Sequence, residues 1–331
     1  MMAGTVLRVK SFKDYQIPTE DGYSIHAKAM FPKPHIEPRR VVFICPVIGA
    51  GAALSLLTFR NFTKRGAIAV CFEYRGHGES TGLFELDRTI TDARDVLLWT
   101  ANFAEKLGLP LHGFATCYGT IPLFAQFRDL RVGCLMRSVT AVSALFRLDH
   151  ILTVRDFASV FSRYCGREVA SDALSAGIAR NEYDWDGDVF RLALQEYLGS
   201  VFKILDVGRD YFEELDYSRV RIQPTLAQLL AARYLQEVKI PASIPCNVFM
   251  GRKDFIMRFD AAEGREEYAN HVRSMIPHAE FFDRDFDHFG RGVEHDMVID
   301  HVSDIFERYD SAPVPPPHFQ HESVAVGSMR G

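Results

Sequence analysis

Apolar runs of strand length recur along this chain with helix-length segments between them. That alternation most narrows what the chain can fold into. Val41-Val42-Phe43-Ile44-Cys45 and Ala67-Ile68-Ala69-Val70-Cys71-Phe72-Glu73-Tyr74 are nearly continuous runs of the kind buried on both faces of a sheet. Leu109–Phe114, Ser138–Ala144 and Pro245–Met250 have the same texture, and Glu280-Phe281-Phe282 reads as a final short strand. Helices are expected at about Leu54–Arg65, Thr91–Leu107, Asp260–Met275 and Glu294–Tyr309. Ahead of these, Phe12–Ile17 and Tyr23–Met30 flank a Thr19-Glu20-Asp21-Gly22 turn and read as a hairpin, with Asp-Gly at its corner. Strands alternating with helices imply an α/β chain with a mostly parallel central sheet flanked by helices.

The segment from about Asp149 to Lys239 breaks the pattern. It is helix-like and rich in Phe, Tyr, Leu and Arg. We therefore expect residues 1–148 and 240–310 to form one core, 149–239 to be a helical cap inserted over the strand ends, and 311–331 to be a flexible Pro-rich tail.

Parallel sheets gather reactive groups at the carboxyl ends of their strands, so the residues there carry the chemistry. After Leu109–Phe114 comes Ala115-Thr116-Cys117-Tyr118-Gly119, followed by the helix-compatible Thr120–Phe127. A sharp strand-to-helix turn has no room for bulk two residues either side of its centre, and those places hold Ala115 and Gly119. Such a turn exposes the central side chain and aims the next backbone N–H, that of Tyr118, at a developing oxyanion. Cys117 is the candidate nucleophile. Asp254 closes Gly251-Arg252-Lys253-Asp254 after a later strand, and His288 lies in Asp287-His288-Phe289 after the last. Nucleophile, acid and histidine in that order suit a triad in which histidine moves the proton and the acid holds its tautomer. Asp149 is an alternative acid. His77, between Gly76 and Gly78, reads as a structural turn residue.

Composition excludes several classes. The chain has 331 residues, 47% of them hydrophobic, and a net charge of −5, so no global basic field draws nucleic acid or an anionic membrane. The six cysteines, Cys45, Cys71, Cys117, Cys134, Cys165 and Cys246, show no metal-site spacing, so neither metal nor cofactor is expected. Cys45, Cys71 and Cys246 fall within strands and read as core. The first ten residues lack a signal-peptide h-region and no 18-residue apolar span occurs, so a cytoplasmic protein with reduced thiols is expected.

These motifs together resemble the α/β-hydrolase superfamily over roughly residues 12–310. The matching stretches are Asp21-Gly22, Pro46–Gly51, Tyr74-Arg75-Gly76-His77-Gly78-Glu79-Ser80, the Cys117 elbow, Gly251–Asp254 and Asp287–Phe289. In layout the chain is also similar to the acyl transferases of bioluminescence operons, serine thioesterases that release fatty acid from acyl carrier protein. The resemblance implies a first oxyanion donor in the backbone of Ile48, or alternatively Val47, beside Tyr118. Two departures stand out: Pro46-Val47-Ile48-Gly49 replaces the usual His-Gly pair, and cysteine replaces serine.

A cysteine nucleophile favours acyl thioesters as substrates, since an acyl-cysteine is itself a thioester open to thiol, amine or water. The expected function is therefore an acyl transferase or thioesterase with a Cys117-His288-Asp254 triad, its donor on coenzyme A or acyl carrier protein. A small ester or lactone hydrolase of the dienelactone-hydrolase type is the second reading. A non-catalytic hydrolase-fold binding protein is the third. Arg128, Arg131 and Arg137 are the candidate patch for docking an acidic carrier protein. The sequence leaves the oligomeric state open.

Overall fold

The computed structural model of the chain describes residues 12–47, 51–52, 55–56, 60–146, 238–254, 259, 261–286 and 295–311. Ile48, Asp149, Cys165, His288, the tail from 312 and all but the last two residues of the expected cap lie outside the described residues.

Eight strands form one sheet: β1 (Phe12–Pro18), β2 (Ser24–Met30), β3 (Arg40–Cys45), β4 (Ala67–Phe72), β5 (Leu111–Thr116), β6 (Val139–Val142), β7 (Cys246–Gly251) and β8 (Glu280–Arg284). Their order is β1-β2-β4-β3-β5-β6-β7-β8. The β1–β2 hairpin joins β4 antiparallel, and every pairing from β4 to β8 is parallel. At the hairpin corner Gly22 has φ 85°, a left-handed value that glycine adopts at little cost.

β3, β4, β6 and β7 are buried at every position, as their unbroken apolar runs require. Alternation sorts their side chains. Val41, Phe43 and Cys45 belong to one core with Val70, Phe72 and Ala115, whereas Val42 and Ile44 belong to a second with Ala69, Cys71 and Phe114. The first core is covered by α2 (Leu86–Leu107), which contributes Ala93, Val96, Leu97 and Ala104. It is also covered by α3 (Thr120–Ala125) and α5 (Ala262–Met275). The second core is closed by α1 (Asn61–Lys64) and α6 (His295–Asp310).

Most element boundaries agree with the sequence reading, and the differences have physical causes. α2 begins at Leu86 rather than Thr91. The added turn carries Thr89, fully buried, whose hydroxyl shares a 2.7 Å hydrogen bond with Tyr118 Oη. The helix expected over Leu54–Arg65 is described as helical at Ala52, at Ser55-Leu56 and over Asn61–Lys64, with Arg60 in a turn. After the elbow, α3 gives way to a 3-10 turn at Gln126–Arg128 and the short α4 (Leu130–Gly133). Pro122 is tolerated in α3 because it stands in the first turn, where an N–H has no helical partner.

Candidate active site

β3 lies between β4 and β5, where the strand order reverses. In open α/β sheets that switch point, outside the carboxyl ends of the strands, is where ligands bind. β5 ends at Thr116 in extended backbone, and the chain passes directly into a 3-10 turn, Cys117–Gly119. Cys117 takes φ 47° and Thr120 already has helical angles. Left-handed backbone at a residue with a Cβ costs roughly 1–2 kcal/mol, and such outliers gather at active sites. Cys117 is partly exposed.

The turn works only because it is close to β3. A Cβ on Gly119 would stand 2.2 Å from the Cys45 carbonyl oxygen and 2.8 Å from that of Pro46. The elbow backbone therefore lies directly against the first residues of the loop that follows β3. Tyr74 Oη donates to the Pro46 carbonyl at 2.9 Å and pins that loop from below. The Tyr118 ring packs edge-on against Tyr74, centroids 6.0 Å apart, while its hydroxyl is held by Thr89. The side chain that follows Cys117 is thus an anchor that fixes the turn. The second proposed donor, Ile48, is outside the described residues; Val47 is described and partly buried.

The loop after β4 is organised by two buried charged groups. Glu73 accepts from the backbone N–H of Glu79 at 2.9 Å and of Ala52 at 3.4 Å, and lies 2.9 Å from His26 Nδ1. Burial alone would raise its pKa, but these hydrogen bonds hold it below the ordinary carboxylate range. Arg75 bridges Asp92 and Asp21. Burial pushes Asp92 up to about 6 despite the guanidinium, whereas the hydrogen bond from Arg75 brings Asp21 down to about 2. Asp21, noted above for its turn, therefore also fastens the hairpin to this loop. His77 is buried with its ring against Tyr74 and Phe84, the structural role expected of it.

Asp254 sits just beyond β7, fully buried, with its N–H donating to the Gly251 carbonyl at 2.9 Å. Phe259 links it to Tyr268: its N–H donates to the Asp254 carbonyl at 2.8 Å, and its ring centroid lies 4.7 Å from that of Tyr268. The Tyr268 hydroxyl donates to Ala144 O at 2.7 Å, and burial, then the nearby Asp254 charge, raise its pKa well above the ordinary value. The adjacent Leu145 N–H in turn donates to the Cys117 carbonyl at 3.3 Å. The structure therefore gathers Cys117, Tyr118 and Asp254 around the ends of β5, β6 and β7. His288 is outside the described residues. Phe286, two residues before it, accepts from the N–H of Lys253, the neighbour of Asp254, at 3.1 Å. Thr89 and Tyr268 are residues that sequence reasoning missed, and Tyr74 was read only as the head of a matching stretch, without its hydrogen bond to Pro46. No spacing rule marks any of the three roles.

The other thiols differ from Cys117. Cys45, Cys71 and Cys246 are buried in the sheet as expected. Burial raises Cys45 well above the usual thiol range, takes Cys71 to about 12, and raises Cys246 as well. Cys134 is partly exposed, and partial burial raises it too. Limiting iodoacetamide at neutral pH is expected to alkylate Cys117 first, because it is partly exposed, whereas Cys45, Cys71 and Cys246 are buried and burial makes Cys134 a poorer nucleophile. Peptide mapping that finds Cys134 or Cys165 labelled ahead of it would remove the special status of this thiol.

Neither a protein-family model nor a curated protein matches the chain. Solved structures do. A soluble variant of the monoglyceride lipase of Saccharomyces cerevisiae, in complex with a substrate analog, superposes with a TM-score of 0.65 at 12% identity. It covers 94% of this chain and 100% of that one. The Pyrococcus furiosus esterase Pf2001 gives a TM-score of 0.56 at 14% identity, covering 90% of each chain. A thermostable carboxyl esterase of Bacillus coagulans, in complex with glycerol, gives 0.57 at 13%, covering 90% of this chain and 99% of that one. With the strand order above, these likenesses establish that the chain has the α/β-hydrolase fold. Among the described residues no helix is long and apolar enough to cross a membrane.

Proposed function

We propose that the protein is an acyl-transfer enzyme that cleaves or transfers the acyl group of a thioester through an acyl-cysteine on Cys117. The observation that carries this reading is the left-handed Cys117 at the end of β5, with Gly119 seated against Cys45 and Pro46. That geometry supports the reading because it presents a partly exposed thiol at a strained strand-to-helix turn, against the loop that follows β3. The Cys117 sulfur attacks the thioester carbonyl and its proton passes to His288. Collapse of the tetrahedral intermediate expels the leaving thiolate, which takes that proton. Water, a thiol or an amine then attacks the acyl-cysteine, giving its proton to His288, and the cysteine thiol is restored.

Asp254 orients the histidine in this reading. What supports this assignment is the hydrogen bond from Lys253 N–H to Phe286 O at 3.1 Å, which joins the chain just before Asp254 to the end of the described segment after β8. Coenzyme A or an acyl carrier protein would bring the donor. Of the candidate arginines for carrier docking, Arg131 is held by Asp129 and Arg137 by the Asp310 carbonyl.

The names of the structural neighbours favour a second reading, hydrolysis of a carboxylic ester at the same site. Intact mass after incubation with butyryl-coenzyme A and p-nitrophenyl butyrate separates the two. A butyryl adduct that maps to Cys117 and is cleared faster by an added thiol than by water supports acyl transfer. Turnover of the ester alone, with no reaction of the thioester, replaces that reading with the esterase.

A further inference from the structure

Ser143 stands just past the end of β6, and it shares an unusual property with Cys117. Among the described residues these are the two non-glycine residues with positive φ, each at 47°. They are also register neighbours. Thr116 pairs with Val142 across the parallel β5–β6 ladder, so each left-handed residue follows directly on a paired one. The two segments stay together beyond the ladder, because Leu145 N–H donates to Cys117 O at 3.3 Å and Tyr268 holds Ala144.

Ser143 bears a second cost. It is 1% exposed, and among the described residues its hydroxyl has no hydrogen-bond partner. Thr120 and Thr140 have orphaned hydroxyls too, but on helical and strand backbone respectively. Glycine would remove both costs of Ser143 at once: it adopts left-handed backbone freely and leaves no polar group to satisfy. Its backbone already serves the sheet, with Ser143 N–H donating to Phe249 O at 3.0 Å, so that contact does not need the side chain. A buried, unsatisfied hydroxyl on strained backbone beside a nucleophile is a group kept for something the fold does not use.

We propose that Ser143 is a substrate-contacting residue whose hydroxyl hydrogen-bonds the acyl donor bound at Cys117. The inference rests on the acyl-transfer reading above and deepens it by naming a second polar contact for the substrate. The contact requires the hydroxyl, and the fold does not.

Ser143→Gly and Ser143→Ala test this in the full-length protein, with butyryl-coenzyme A and p-nitrophenyl butyrate as probes. Loss of one hydrogen bond predicts that kcat/KM falls about fivefold to tenfold in both variants. The melting temperature of Ser143→Gly should stay level or rise, because strain is relieved. An unchanged kcat/KM would overturn the proposal and make Ser143 a strained residue without a substrate role. A fall in melting temperature of more than about 3 °C in both variants would overturn it as well, by assigning the hydroxyl to folding. Intact mass on the wild type keeps the two readings apart. If Cys117 acylates and the Ser143 variants match wild type, only this inference fails; if Cys117 never acylates, the underlying reading fails.

Discussion

Replacing Cys117 by alanine should lower acyl-thioester turnover by about a thousandfold or more and abolish the acyl adduct. In the acyl-cysteine reading proposed above, the side chain lost is the one that forms the bond, and what remains is binding and the proposed oxyanion donors. Cys117→Ser is the more discriminating change. It keeps a small side chain with a nucleophilic tip on the same left-handed backbone, so the elbow geometry of β5 into the 3-10 turn is retained. It exchanges a thiol for a far less acidic hydroxyl that must lose its proton as it attacks. Acylation from butyryl-coenzyme A should slow in the serine protein. Its acyl-enzyme would be an oxygen ester, a poor donor to thiols and amines, so water should take a larger share of the product. The measurement is the product ratio between hydrolysis and transfer to an added thiol, for wild type and each variant. Equal rates and equal partition in wild type and Cys117→Ser would show that sulfur is incidental, and ester hydrolysis would become the better reading.

Gly119→Ala should destabilise the protein by about 3 kcal/mol or more, seen as a drop in melting temperature of about 6 °C or greater. The cause is contact rather than conformation. Gly119 has φ −55°, which any residue adopts, but its Cβ would fall 2.2 Å from one backbone oxygen and 2.8 Å from another. Neither oxygen moves easily: Cys45 ends a strand paired on both sides, and Tyr74 holds the Pro46 carbonyl. Gly108 provides the contrasting control. It has φ 66° at the end of α2 with nothing within 4 Å of its added Cβ. Gly108→Ala therefore meets left-handed strain alone, about 1 kcal/mol. Thermal unfolding of both variants checks the argument. A Gly119→Ala protein that melts with wild type would mean that the elbow does not pack against β3 as described.

The Gly119 contact also shows how much of the site was legible in the residue string. A small residue at each flank of Cys117 signalled a cramped turn, and the turn is there. What it is cramped against was not legible, because Cys45 and Pro46 lie more than 70 positions away in sequence. Asp254 was found as a polar residue just after an apolar run. Its neighbour Tyr268 was not, since one tyrosine on the polar-looking Ala262–Met275 helix carries no period or spacing that sets it apart. Ser143 was read only as part of a strand; its left-handed backbone is a property of the chain path beyond β6.

By itself the sequence determined the fold class and the order of most elements. Short unbroken apolar runs bounded by turn residues suit strands covered on both faces, and the helical period of Ala93, Val96, Leu97 and Ala104 suits a helix covering one of those faces. It also determined which residue types stand at the strand ends. Only the tertiary structure decided which of those ends meet. The strand order places β3 between β4 and β5, so the Pro46 loop and the Cys117 elbow lie against each other. It likewise decided the extra turn of α2, where Thr89 reaches Tyr118, and the junction of β6 with the elbow through Leu145. The physical reason is range. Periodicity and turn chemistry act over a few residues, whereas close backbone approach, buried hydrogen bonds and strain arise between segments that sequence distance does not relate.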